Sequence, residues 1–270
     1  MFEKIVFLGA GAMAEALIAG IVKANIVKPE QIVVTNKSNQ ARLQALASNY
    51  QVQTTQSIEQ AVTDADAVVF AMKPKDIQTA LAEVRPHLTG SQVLISVLAG
   101  TPITVFHDTL TMNVPIIRTM PNTSSTIGYG ATAITVGEYV TEQQLEQTKK
   151  LFETVGTVTV VEEDDMHVVT ALSGSGPAYF YYMVEAMQEV AAKKGLEATK
   201  AKELIYQTIL GVAEMLQQTE ETPTQLRKNI TSPNGVTQRA VEALYDHHLP
   251  ETIEAAIEAA IKRSEELGKA

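Results

Sequence analysis

The run Lys4-Ile5-Val6-Phe7-Leu8 breaks at Gly9-Ala10-Gly11-Ala12-Met13-Ala14 and resumes as Leu17, Ile18, Ile21 and Val22 at helical spacing. A β-rich run, a glycine turn and an amphipathic helix in that order admit few folds. Gly9 suits the tight turn, Gly11 lets pyrophosphate oxygens come close to a helix N-terminus, and the small Ala14 lets that helix lie near the strand. The segment is expected to open a Rossmann-type α/β domain that binds a dinucleotide, with Gly9, Gly11, Ala12 and Met13 at the cofactor.

The rest of the first half repeats the theme. Apolar runs at Gln31–Thr35, Ala67–Ala71, Gln92–Val97 and Val114–Arg118 alternate with helical patterns, which predicts a doubly wound parallel sheet covered on both faces. Two more strands are expected at Ala131–Val136 and Thr157–Val161, separated by a polar helix. Beyond Glu162 the strand signals stop, and Ala, Leu, Met, Glu and Gln dominate. The chain thus divides into a dinucleotide-binding domain, residues 1–162, and an all-α C-terminal domain, residues 163–270, with helices near Gly176–Lys194, Ala198–Gln217, Pro223–Asn229, Asn234–Asp246 and Leu249–Leu267. No flexible linker separates them.

The second strand ends in Asn36-Lys37-Ser38, where a carboxylate would hold a ribose 2′-hydroxyl and repel a 2′-phosphate. With Lys37 supplying charge and Asn36 and Ser38 supplying hydrogen bonds, NADPH is the expected cofactor, with NADH accepted; Ser38 also suits the cap of the next helix. In a doubly wound sheet ligands lie outside the carboxyl ends of the strands. This places Ala71, Lys73 and Pro74, Ala99 and Gly100, and Asn122 along one crevice.

In the second half, Ser232-Pro233-Asn234-Gly235-Val236-Thr237 leads into an apolar-periodic helix. Reading Ser232 as N-cap and Pro233 as the first helical residue leaves the amides of Asn234, Gly235, Val236 and Thr237 free to bind a small carboxylate. Upstream, Leu172-Ser173-Gly174-Ser175-Gly176-Pro177-Ala178-Tyr179 forms a Ser/Gly loop before a long helix, with Ser175 a candidate substrate contact.

Composition narrows the class. A chain of 270 residues with 45% apolar and 19% charged residues is globular, and a net charge of −10 argues against nucleic-acid binding. The absence of cysteine excludes thiolate catalysis, and the five histidines show no metal-ligand spacing, so no metal is expected. With a strand directly at the N-terminus and no long apolar stretch, a cytoplasmic protein without membrane contact is expected.

Four blocks together resemble pyrroline-5-carboxylate reductases: the glycine fingerprint, Lys73-Pro74 with Arg118-x-Met120-Pro121-Asn122-Thr123, Leu172 to Tyr179, and Ser232-Pro233-x-Gly235-x-Thr237. The resemblance covers essentially the whole chain. It implies NAD(P)H-dependent reduction of 1-pyrroline-5-carboxylate to L-proline, the final step of proline biosynthesis, at an active site assembled between subunits of a dimer or a multiple of dimers. The substrate carboxylate is assigned to Gly235, Val236 and Thr237 with help from Ser232, and the ring nitrogen to the Thr237 hydroxyl. Departures from the family pattern are Asn234 for a glycine, Ser124 for a proline, His167 for an acidic residue, Tyr245 for a polar or acidic one, and Gln56-Ser57 where an adenosine-contacting Asn is customary. Three alternatives stay open on the residues alone: a reductase of another imine, a β-hydroxyacid dehydrogenase-like enzyme, and a cofactor-binding regulatory paralogue.

Overall fold

The structure is a computed structural model and describes residues 1–268. Eight strands form one sheet: β1 Ile5–Leu8, β2 Ile32–Thr35, β3 Gln53–Thr55, β4 Ala67–Phe70, β5 Val93–Ser96, β6 Ile116–Met120, β7 Gly130–Val136 and β8 Gly156–Val160. Helices α1 Ala12–Ala24, α2 Gln40–Tyr50, α3 Ile58–Val62, α4 Ile77–Val84, α5 Ile103–Leu110 and α6 Glu142–Glu153 connect them. Then come α7 Met166–Val169, a π-helical turn Thr170–Gly174, α8 Gly176–Lys193, α9 Ala198–Gln218, α10 Pro223–Asn229, α11 Val236–Asp246 and α12 Leu249–Gly268.

Strand order is β3-β2-β1-β4-β5-β6-β7-β8, so the chain winds outward in both directions from β1 and β4. Buried strands show why the apolar runs are continuous: Ile5 and Phe7 enter one core with Leu17, Ile18 and Phe152, while Val6 and Leu8 enter the other with Phe70 and Phe106. Phe70 and Phe106 meet edge to face, with ring centroids 5.2 Å apart.

The sheet is parallel except at one pair, where β7 runs antiparallel to β6. Only a short connection with a single 3-10 turn, Thr123–Ile127, joins them, whereas a parallel return requires a longer crossover. The Gln53–Thr55 edge strand is polar and half exposed, which is why no apolar run announces it.

Packing separates the chain into two units, residues Met1–Ser175 with Ala260–Ala270, and residues Gly176–Ala259. The stretch from Glu163 to Ser175 is tied to the sheet: Glu163 pairs with Arg118, and the Ser173 carbonyl accepts from Asn122. The end of α12 returns to the same unit, where Ser264 Oγ meets His167 Nδ1 at 2.9 Å and Gly268 lies against Gly100.

The helical unit is built differently. Its buried residues are few, among them Ala201 and Ile205, while Phe180, Tyr182, Leu204 and Ile230 are 61%, 74%, 63% and 70% exposed. Isolated helices with so little burial derive little stability from each other.

Candidate functional site

At the end of β1, Gly9 adopts φ +114, and a Cβ there would lie 2.5 Å from the Ala71 carbonyl oxygen. Its amide donates to Thr35 O at 3.0 Å, so this residue is required by the meeting of three strand ends. Gly11 is different: it is the N-cap of α1, with φ −75, and a Cβ would find its nearest neighbour, Ala71 O, 3.9 Å away. The protein itself does not fill that space. No side chain caps α1, so the first-turn amides of Ala12 and Met13 face outward unsatisfied, a cradle that suits a pyrophosphate.

After β2, Asn36 Oδ1 accepts from the amides of Ser38 and Asn39 at 3.1 and 2.8 Å, folding the loop back on itself. The cap of α2 is Asn39, whose Oδ1 takes the Arg42 amide at 2.9 Å, and not Ser38 as the sequence suggested. Because Asn36 turns the loop first, Ser38 falls short of the cap position, and its hydroxyl is left free of the helix. Lys37 Nζ is held 2.6 Å from Glu83 Oε1.

After β4, the Ala71 amide donates to Leu8 O at 2.9 Å, and Lys73 is exposed ahead of Pro74, which opens a 3-10 turn. Ala99 is half-buried after β5. Gly100, next in the same loop, is buried beneath α12: with φ +71, a Cβ there would lie 2.9 Å from Leu267 Cβ. Asn122, after β6, has both ends of its amide committed to the protein. Its Oδ1 accepts from Ser124 N at 3.2 Å and Ala131 N at 3.4 Å, and its Nδ2 donates to Ser173 O at 3.0 Å. It shapes the loop and docks the π-helical turn. Ser175 follows that turn, half-buried, its amide bonded to Thr170 O at 2.8 Å.

In the helical unit, the N-cap of α11 is Gly235, which corrects the assignment of Ser232. Asn234 adopts φ 57 and closes a turn in which the Gly235 amide donates to Ser232 O at 2.9 Å. A left-handed residue cannot continue a helix from Pro233, so the helix starts three residues later than Ser232 would set it. Two of the four amides expected to be free are therefore engaged, since Asn234 N also donates to Gln238 Oε1 at 2.7 Å. Those of Val236 and Thr237, in the first turn, have no side-chain cap. Gln238 in turn donates to Glu242 Oε1 at 2.7 Å, and this bond, with Arg239 beside it, holds the Glu242 carboxyl below its ordinary value.

Comparison with known proteins gives these features a common setting. A family model for pyrroline-5-carboxylate reductase dimerisation matches residues 163–267, and one for NADP oxidoreductase, coenzyme F420-dependent, matches residues 4–100. Pyrroline-5-carboxylate reductase 1 of Bacillus spizizenii is 41% identical over 98% of this chain and 89% of its own.

The chain belongs to the pyrroline-5-carboxylate reductase family.

As a pyrroline-5-carboxylate reductase family member it is an oxidoreductase with a Rossmann domain and a dimerisation domain. The solved pyrroline-5-carboxylate reductase of Coxiella burnetii superposes with a TM-score of 0.92 at 37% identity, covering 99% of each chain. That of Plasmodium falciparum, solved with NADP bound, gives 0.88 at 31% identity, covering 98% of each.

Three groups around the sheet unit of this reductase were not singled out by motif. Arg42 Nε donates to the Ala10 carbonyl at 2.8 Å, and its guanidinium pairs with Glu15, so α2 fixes the glycine turn through a charged side chain. Tyr50 donates to the same Glu15 at 3.2 Å; burial first, and then that carboxylate, push its phenol above the ordinary value. Glu83 and Glu163 are the others. Their partners lie 46 and 45 residues away in sequence, beyond the reach of any local pattern.

Proposed function

We propose that this chain reduces 1-pyrroline-5-carboxylate to L-proline with NADPH as the preferred donor. The observation that carries the substrate assignment is the start of α11, where uncapped first-turn amides of Val236 and Thr237 stand beside a Thr237 hydroxyl that makes no hydrogen bond of its own. A planar carboxylate matches those amides in charge and geometry. Gly235 keeps the approach clear of a side chain, and the Ser232 hydroxyl, also uncommitted, lies across the same turn.

A nicotinamide cofactor, when bound, supplies the hydride. The cradle for its pyrophosphate is the turn of Gly9 and Gly11 with the amides of Ala12 and Met13, and Asn36, Lys37 and Ser38 are placed for its 2′ end. Ala71, Lys73, Pro74 and Ala99 border the same strand ends. Reduction of a C=N bond needs the ring nitrogen protonated and the carboxylate fixed; it needs no nucleophile from the protein. Thr237 is the residue in position to hold the ring nitrogen and its proton by hydrogen bonding, directly or through water.

The enzyme works as a dimer or a multiple of dimers, supported by the dimerisation family of residues 163–267 and by the exposed apolar faces of α8 and α9. We place it in the cytoplasm. Among the described residues no helix is long and apolar enough to cross a membrane.

The test is NADPH oxidation by the purified protein with three substrates in parallel: pyrroline-5-carboxylate, a piperideine carboxylate and a set of 2-hydroxy acids run in reverse. Turnover should favour the five-membered imine. Preference for the six-membered ring would assign a different imine, and binding of cofactor without turnover would make the chain a sensor.

A further inference from the structure

The loop after β2 lacks a carboxylate of its own, yet the fold brings one to it. Glu83, late in α4, holds Lys37 Nζ at 2.6 Å, and both side chains remain open to solvent, 37% and 63% exposed. The Lys37 carbonyl is anchored by Gln56 Nε2 at 3.3 Å, so any adjustment falls to the side chain.

We propose that Glu83 is a specificity-determining residue that occupies the Lys37 ammonium and thereby sets how strongly NADPH is favoured over NADH. The inference rests on the reading of Asn36-Lys37-Ser38 as the 2′ end of the cofactor site. A 2′-phosphate draws its recognition from a cation, whereas a 2′-hydroxyl does not. If Lys37 stays with Glu83, the pair is close to neutral and attracts the phosphate weakly. If Lys37 swings to the phosphate, it must first give up its ion pair with Glu83. Each course weakens NADPH and leaves NADH nearly untouched, so the discrimination comes from competition of two anions for one cation. Lysine permits this because its ammonium is a compact charge on a flexible stem, able to serve either anion; arginine would hold one in a fixed fork.

The experiment is kcat/KM for NADPH and for NADH at low ionic strength in wild type, Lys37→Ala, Glu83→Gln and the double variant. For a solvent-exposed pair, Glu83→Gln should raise the NADPH-to-NADH ratio by roughly two- to fivefold, and the gain should shrink in salt. Glu83→Ala should act in the same direction. In the Lys37→Ala background the Glu83 substitution should add little. A Glu83→Gln ratio equal to that of wild type overturns the proposal, as does an undiminished gain without Lys37, which would mean direct repulsion of the phosphate by Glu83. Should Lys37→Ala alone leave the ratio unchanged, the failure lies in the placement of the 2′ pocket.

Discussion

Arg118 Nη1 donates to Glu163 Oε1 at 2.7 Å, and the same oxygen accepts the Ile103 amide at 3.2 Å. One carboxylate thus ties β6 to the start of α5, just after the Ala99-Gly100 loop. The arginine side chain is 3% exposed and the glutamate 33%, so the charge of Arg118 is the more deeply committed. Arg118→Met removes the partner and leaves a carboxylate with one oxygen, Oε2, already buried and unpaired. We expect it to cost about 3 kcal/mol, and Glu163→Gln about 1 kcal/mol because the amide oxygen can still accept from Ile103. Denaturant midpoints at one fixed protein concentration measure both; equal losses would deny the ion pair its part.

The glycine turn separates a glycine that the backbone requires from one with open space beside it. Gly9→Ala, at φ +114 with backbone 2.5 Å from its new Cβ, should fold poorly or lose several kcal/mol, on the order of 3. Gly11→Ala meets no such obstacle and should keep a wild-type melting temperature while the Michaelis constant for the cofactor rises. A folded Gly11→Ala enzyme with unchanged cofactor constants would remove the pyrophosphate from this turn.

Lys37→Glu places a second carboxylate beside Glu83 and reverses the sign of the loop after β2. NADPH should become the poorer donor by roughly tenfold or more through repulsion of its 2′-phosphate. Parallel steady-state kinetics with the two cofactors decide it, and a persisting NADPH preference would contradict the assignment.

Assembly should be obligatory for stability. Tyr182→Glu or Leu204→Glu, on exposed apolar positions of α8 and α9, should shift the sedimentation pattern toward smaller species and lower the melting temperature together. A fully active monomer in light scattering would end the idea of a shared site.

At α11, Thr237→Ala should lower turnover with the imine more than it changes NADPH affinity, since the hydroxyl is assigned to the ring nitrogen. Gly235→Val should raise the Michaelis constant for the imine; even its Cβ would lie 2.9 Å from Ser232 O, so the turn must also shift. Unchanged imine kinetics in both folded variants would reduce this segment to an ordinary helix start.

Much of the sheet can be read from the chain because Val, Ile and Leu runs such as Ala67–Phe70 are buried on both faces and leave an unbroken apolar signature. Strand direction has no such signature, so the antiparallel course of β7 is not legible in its residues. Caps were misplaced by two local competitions, Asn36 against Ser38 and the left-handed Asn234 against Ser232, each decided by backbone conformation. Leu267, 167 residues on in sequence, covers Gly100 in the loop after β5, and no local pattern announces that contact. Contacts of that span, like Lys37 with Glu83, exist only after folding.

The return of α12 to the sheet unit also orders events in time. Ser264, which seats against His167, and Leu267, which closes over Gly100, leave the ribosome after every residue of the helical unit. During synthesis the nascent sheet must therefore wait, with the floor of its β5 loop uncovered, until the last helix arrives to seal it. Maturation of the nucleotide half is thereby coupled to the synthesis of α12.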